Sequence, residues 1–293
     1  MKNIGGQAVV EGVMMKGPGN WTVAVRDPRG EIHLKRETLE PLPGFLKLPV
    51  VRGFIALIQA LTIGIKAIEF SAGKAYDEEG AEDPGKLSIA ITIGAAVILS
   101  ICLFILLPLY ATKLMGLLLK GISASSLLFN LTDGLIRVLI FLLYVLAIGL
   151  WKEMARIFMY HGAEHKVIHA YEDGVPLTVE GVKNYTTLHP RCGTSFLMIV
   201  MAVSILVFSF IPQSWPFQYK FLSRILLVPL IAGSSFEFLK LSARFQDNYF
   251  MKMMIRPGLF LQRLTTREPD DAQLEVALAA LTAVLEAEGE HAR

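Results

Sequence analysis

The chain has 293 residues, 53% of them apolar, with 28 basic against 26 acidic side chains and a mean hydropathy of +0.50. This composition excludes an ordinary soluble domain and points to an integral membrane protein. The net charge of +2 hides an uneven distribution. Lys240, Arg244, Lys252, Arg256, Arg263 and Arg267 face a single Asp247, whereas the tail from Glu268 onward is acidic. A basic segment directly after a hydrophobic run reads as a juxtamembrane anchor on the cytoplasmic side, so no nucleic-acid partner is expected.

Residues 1–44 read as a small cytoplasmic antiparallel β unit. Gln7–Lys16, Trp21–Arg26 and Glu31–Arg36 are β-prone runs, separated by the Gly17-Pro18-Gly19-Asn20 and Asp27-Pro28-Arg29-Gly30 turns, which predicts a three-strand meander. No apolar run follows the N-terminal basic residue, so no cleavable signal peptide is expected. Pro41, Pro43 and Pro49 then punctuate the approach to the membrane. Within 45–86, Arg52, Gln59, Thr62, Lys66 and Glu69 form a polar stripe at helical spacing, and the apolar stretch before Lys66 is shorter than the ~20 residues a span needs. An amphipathic interfacial or re-entrant helix is expected there.

Residues 87–267 hold the expected transmembrane domain. Its four spans are Leu87–Leu109, Leu131–Trp151, Phe196–Ile211 and Leu222–Leu241. An even count puts both termini on one side of a bacterial inner membrane, and the basic stretch makes that side cytoplasmic, together with loop 152–194. Residues 268–293 read as a soluble amphipathic helix. Leu274, Leu278, Leu281 and Leu285 form its apolar stripe, which must cover something such as the β unit. The predicted fold class is therefore a mainly α membrane protein with about four transmembrane helices, one amphipathic helix and a small N-terminal β unit.

The chemistry concentrates in the polar interval. His161-Gly162-Ala163-Glu164-His165 places two imidazoles one helical turn apart with a carboxylate beside the second, the spacing of the inverted zinc-peptidase signature. His189 and Cys192, spaced His-x-x-Cys, offer a third and fourth ligand. Two of the cysteine and histidine roles have plain alternatives. Cys192 could be a nucleophile with His189 or His161 as base, or a thiol packed in a turn, and it does not pair with Cys102, which lies in an apolar run. His161, His165 and His169 recur every fourth residue on a helix expected to continue unbroken from the second span to about Glu172. All four of His161, His165, His189 and Cys192 around one ion would make a closed, structural site. A catalytic zinc or similar divalent ion keeps one position for water, and Glu164 would then be the general base. Glu237, costly inside an apolar run, is expected to pair with Lys240 or Arg244. Arg137 and Asp133, four apart, are expected to form a structural pair.

Four strings, GGQAVVEGVMMKGP, HGAEHKVIHAYE, HPRCGTSFL and PGLFLQRLTTREPDDAQLEVA, together resemble the YqhQ family of bacterial multi-pass membrane proteins along nearly the whole chain. The resemblance implies a metal-dependent enzyme of unassigned reaction, and it points to the same residues, His161, Glu164, His165, His189 and Cys192. The expected function is a metal-dependent hydrolase at the cytoplasmic membrane surface, acting on a membrane peptide or lipid-linked group. The rival is a non-enzymatic membrane-biogenesis or scaffold protein with structural zinc and a protein partner on the cytoplasmic face. A transporter ranks third, since charges in the spans are sparse. In each reading the lipid bilayer is a partner.

Overall fold

The structure is a computed structural model that describes residues 4–40, 48–76, 86–190, 192–244 and 248–289. Pro41, Pro43, Arg191 and Asp247 lie outside them, as does the expected boundary at 44–45. The N-terminal unit has four strands in the order β1 (Gly5–Val9), β2 (Gly12–Lys16), β3 (Asn20–Arg26) and β4 (Ile32–Thr38), each antiparallel to the next. The run expected as one strand, Gln7–Lys16, folds back on itself. Val9 pairs with Gly12 across a two-residue turn, and Glu11 takes a left-handed backbone with φ 47°. A Val-Glu turn carries none of the usual Asn-Gly signal, so the hairpin was hidden.

Both faces of this sheet are buried. Val13, Met15 and Ala24 pack with Tyr160 and Val167 of α6 (Lys152–Asp173) and with Leu274, Leu281 and Val284 of α12 (Asp271–Ala287). Met14, Trp21, Val23 and Val25 point the other way, onto Ile63, Ala67 and Ala75 of α1 (Val51–Ala75). The alternating pattern of β2 and β3 thus serves two helical layers. The C-terminal leucine stripe covers the sheet, as expected, and α12 starts on a capping box in which Asp270 and Gln273 each bind the other's backbone N–H.

Three residues of the polar stripe of α1, Arg52, Gln59 and Lys66, bond neighbouring elements. Lys16 reaches Gln59 at 3.0 Å and Lys66 reaches Glu37 at 3.1 Å. Arg52 grips Glu237 of α10 (Val228–Arg244) through both carboxylate oxygens. Glu237 therefore takes Arg52 as its hydrogen-bonded partner, with Lys240 adding only a longer-range attraction; the Arg244 side chain lies outside the described residues. The reason is close packing of the two helices: a Cβ on Gly233 would sit 2.3 Å from the Val50 carbonyl. Ile58, Leu61, Ile65 and Ile68 on the opposite side of α1 are exposed.

Among the described residues, three helices are long and apolar enough to cross a membrane, or four if one bent pair counts as a single span. They are α1, the run Ala90–Leu118 and α5 (Ser126–Gly149), and the pair is α9 (Phe217–Leu226) with α10, bent by 44°. The first expected span does not end at Pro108. A wide π turn over Cys102–Leu106 lies between α2 (Lys86–Ile101) and α3 (Leu107–Leu118), and such turns absorb the missing N–H of a proline and let the helix run on. None of the most apolar window of Ala90–Leu118 is buried within the protein. A helix apolar on every side and left uncovered requires an apolar solvent. The shorter helices are α4 (Lys120–Ala124), α7 (Val179–Val182), α8 (Gly193–Ser209) and α11 (Tyr249–Thr265).

Among these apolar helices lies a buried charge network. Asp133 pairs with Arg137 at 2.8 Å, as the spacing predicts, and also with Arg224 of α9 at 3.1 Å. Asn130 accepts a second bond from Arg224. Both guanidinium groups lie over the Phe208 ring, about 5 Å from its centroid. The network joins α5, α8 and α9 at one end of the helical layer.

Candidate metal centre

The expected continuous helix from the second span to Glu172 is broken. α5 ends at Gly149 and α6 begins at Lys152, after Trp151 in an extended conformation. The Arg267 side chain caps the Gly149 carbonyl, satisfying a group that helix continuation would otherwise use. Gly174 then stops α6 in the left-handed region, with φ 71°. Between these ends α6 presents His161, His165, His169 and Glu172 at successive turns.

Two backbone carbonyls set the tautomers of the first two histidines. Nδ1 of His161 lies 2.8 Å from the Thr265 carbonyl, and Nδ1 of His165 lies 2.5 Å from that of Thr187. A carbonyl only accepts, so each Nδ1 carries the proton and each Nε2 keeps its lone pair. Nε2 of His161 is 3.2 Å from Cys192 Sγ. Nε2 of His165 is fully buried and has no hydrogen-bond partner. One ligand atom from each of His161, His165 and Cys192 falls within 4.8 Å of the others. A buried lone pair without a donor, as at His165 Nε2, is costly, and a borderline divalent cation would suit the N₂S set that the three residues offer.

Electrostatics keep His165 in its ligating form. Burial, helped by His161, drives His165 down to about 2, so the ring stays neutral. Cys192 caps the N-terminus of α8, with Sγ accepting from Thr194 N at 3.4 Å, yet burial still pushes its thiol up. That disfavours a free nucleophilic thiolate. Glu164 is wholly buried and its carboxyl is pushed up to about 8, chiefly by burial. The Gly6 N–H donates to it. A Cβ at Gly6 would lie 2.8 Å from the Glu164 side chain, so only glycine lets β1 approach so closely.

The four expected ligands do not converge on one point. His189 stands apart from His161 and Cys192, in a second group with His169 and Glu172 whose ligand atoms also lie within 4.8 Å of one another. The His189 ring centroid is 4.5 Å from that of His169 and 5.7 Å from that of His165. The loop carrying His189 is pinned by Gln262 of α11, which accepts from His189 N and donates to the His189 carbonyl, both at 2.8 Å. Gln262, Gly6, Glu172 and the Thr187 and Thr265 carbonyls were not legible as site groups. His169 was visible only through its four-residue spacing. A third cluster, Asp27, Glu31 and His33, closes the turn between β3 and β4, where Asp27 accepts from Arg29 N and Glu31 N.

Comparison with known proteins agrees with the sequence strings. The family described as a protein of unknown function, DUF1385, matches residues 48–287. The chain is 34% identical over 299 residues to the Bacillus subtilis (strain 168) protein named "Uncharacterized protein YqhQ", covering 97% of this chain and 92% of that one. No solved structure matches. By the extent of both matches, the chain belongs to the DUF1385 family and is a relative of YqhQ.

Proposed function

We propose that this protein is a metal-dependent hydrolase seated at the cytoplasmic face of a bacterial inner membrane. The observation that carries the reading is the division of the expected ligand set. His161, His165 and Cys192 group together without His189, and three protein ligands leave a fourth position free, the hallmark of catalytic sites. A bound zinc or similar divalent cation supplies Lewis acidity and lowers the pKa of water at that position. The chain's residues do the rest. Thr265 and Thr187 hold the imidazoles in the ligating tautomer. Glu164, on the same turn of α6 and close enough to sense the charges of His161 and Cys192, holds a proton at its carboxyl and exchanges it with the substrate. A cavity of about 350 Å³ between β1, β2 and α1 is lined by Gly6, whose N–H holds Glu164, and by Lys16.

The membrane arrangement that fits best has four crossings: Ala90–Leu118, α5, α8, and α9 with α10. α8 spans about 26 Å and is prolonged by Phe210 and Ile211. α1 lies along the interface with its Ile63–Ala75 face on the sheet and Ile58, Leu61 and Ile65 toward lipid. Both termini and the centre then face the cytoplasm. The substrate class consistent with this placement is a membrane peptide or a lipid-linked group. Cysteine labelling from outside should reach a cysteine placed at Ser214 and not one placed at Asn184; the reverse pattern overturns the orientation.

The chemical test is complementation of the deletion phenotype, with metal content measured in parallel. Glu164→Gln should lose function by roughly 10²–10⁴-fold while retaining metal, as removal of a general acid–base group does. Full complementation by Glu164→Gln, with His161→Ala failing, replaces the enzyme with a scaffold built on structural zinc.

A further inference from the structure

We propose that the centre is binuclear, with His169, Glu172 and His189 binding a second divalent cation beside the first. The inference rests on reading the His161, His165 and Cys192 group as a metal site, and it adds a neighbour to that site.

Three independent observations point to it. The first is geometric: one ligand atom from each of His169, Glu172 and His189 lies within 4.8 Å of the others. The second concerns the tautomer. Nε2 of His169 is 2.9 Å from the Leu188 carbonyl, so Nε2 carries the proton and Nδ1 keeps the lone pair. This is the same backbone-carbonyl device that fixes His161 and His165. The His169 ring is further held by stacking on Tyr185, with 12° between the planes. The third is the placement of His189. Its backbone is gripped at N and O by Gln262, which is completely buried. A buried amide bonded at both ends in this way fixes the backbone of a loop residue.

The alternative is a plain ion pair between His189 and Glu172, whose Nε2 and Oε2 are 3.3 Å apart. An ion pair explains those two residues but neither the oriented His169 nor its 4.5 Å approach to His189. A cation would hold all three side chains, whose ligand atoms lie within 4.8 Å of one another. A His₂Glu set of nitrogen and oxygen donors suits zinc, manganese or iron(II), whereas the thiolate of the first group favours zinc. The two groups therefore differ in preference. They meet where the His165 and His189 rings stand 5.7 Å apart.

The test uses the full-length protein in detergent, dialysed against zinc and then against chelator-free buffer, with metal counted by mass spectrometry. Wild type should hold two equivalents. His169→Ala and the milder Glu172→Gln should each lower this toward one, and His161→Ala should do the same from the other side. Cobalt substitution separates the sites: the thiolate-to-cobalt charge-transfer band should survive His169→Ala and vanish in Cys192→Ser, while Cys192→Ser keeps one cobalt. A wild type holding one equivalent, unchanged by His169→Ala and Glu172→Gln and lost in His161→Ala, overturns the second site and leaves the proposed function intact. A wild type holding no metal overturns both. One equivalent lost only in His169→Ala contradicts the first site and keeps the second.

Discussion

Two regions of the protein bury polar groups, and they do so differently. At one end of the helical layer, Asp133, Arg137 and Arg224 leave unmatched atoms of both kinds: Oδ1 of the acid and Nε of each guanidinium. On α6, the unmatched atom is an acceptor, His165 Nε2, among other acceptors whose protons are committed to carbonyls. In the first region opposite charges pair with one another, one carboxylate between two guanidinium groups. In the second an acceptor is left over beside the Cys192 thiol, and the cation proposed above would complete it. A buried polar cluster is thus read by the sign of what is left over as much as by its burial.

The sharpest way to break this comparison is to unbalance the closed region. Asp133→Ala strands two buried guanidinium groups and should cost about 3–5 kcal/mol, read as lost folded yield and denaturant resistance in detergent. A neutral result would mean that the arginines carry another counter-charge. In contrast, His165→Ala in metal-free protein should cost less, because it removes an unsatisfied atom along with the ring.

Next in size is a pH effect confined to the metal-free protein. The Glu164 carboxyl titrates near 8 when folded and at its ordinary value of about 4.5 when unfolded. Because the folded value is raised, its protonated form contributes stability fully below about 4.5, and that contribution is lost as pH rises through 8. Glu164→Gln is permanently neutral and escapes the loss. The melting temperature of chelator-treated Glu164→Gln should therefore climb relative to wild type between pH 5 and pH 8. A constant difference would show that the carboxylate is already charged in the folded protein.

A smaller effect should follow from Gly162→Ala. Its Cβ would lie 2.1 Å from the Arg267 carbonyl oxygen, which must then move away from α6 and carry the Thr265 carbonyl with it. Overpacking of this kind costs about 1–3 kcal/mol, and it should weaken zinc binding as His161 loses its orienting partner. Zinc affinity unchanged in a folded Gly162→Ala would mean that the carbonyl does not set the tautomer. The smallest effect is at α12: Asp270→Ala removes one side of the capping box and should cost about 1 kcal/mol without changing metal content.

The long helices and the ligand-bearing turn of α6 were legible because periodicity and spacing are local. His161, His165 and Cys192 come together, without the His189 expected beside them, and the α12 stripe covers the sheet it was expected to need. What sequence did not reveal depends on partners distant along the chain. The β1–β2 hairpin turns on Val10 and Glu11, residues without turn character. Glu237 chose Arg52 because Gly53 and Gly233 bring α1 against α10, not because of its neighbours in sequence. His189 was assigned to the first group by proximity in sequence to Cys192, but Gln262 of α11 holds it one turn further along α6. The break between α5 and α6 likewise depends on Arg267, more than a hundred residues away.

The most direct test of the account is X-ray absorption at the zinc edge on full-length protein loaded with zinc. The account predicts a sulfur shell at about 2.3 Å together with imidazole nitrogens at about 2.0 Å, with the sulfur shell disappearing in Cys192→Ser while nitrogen scattering remains. Zinc surrounded only by nitrogen and oxygen in the wild type, or a spectrum unchanged by Cys192→Ser, would contradict it.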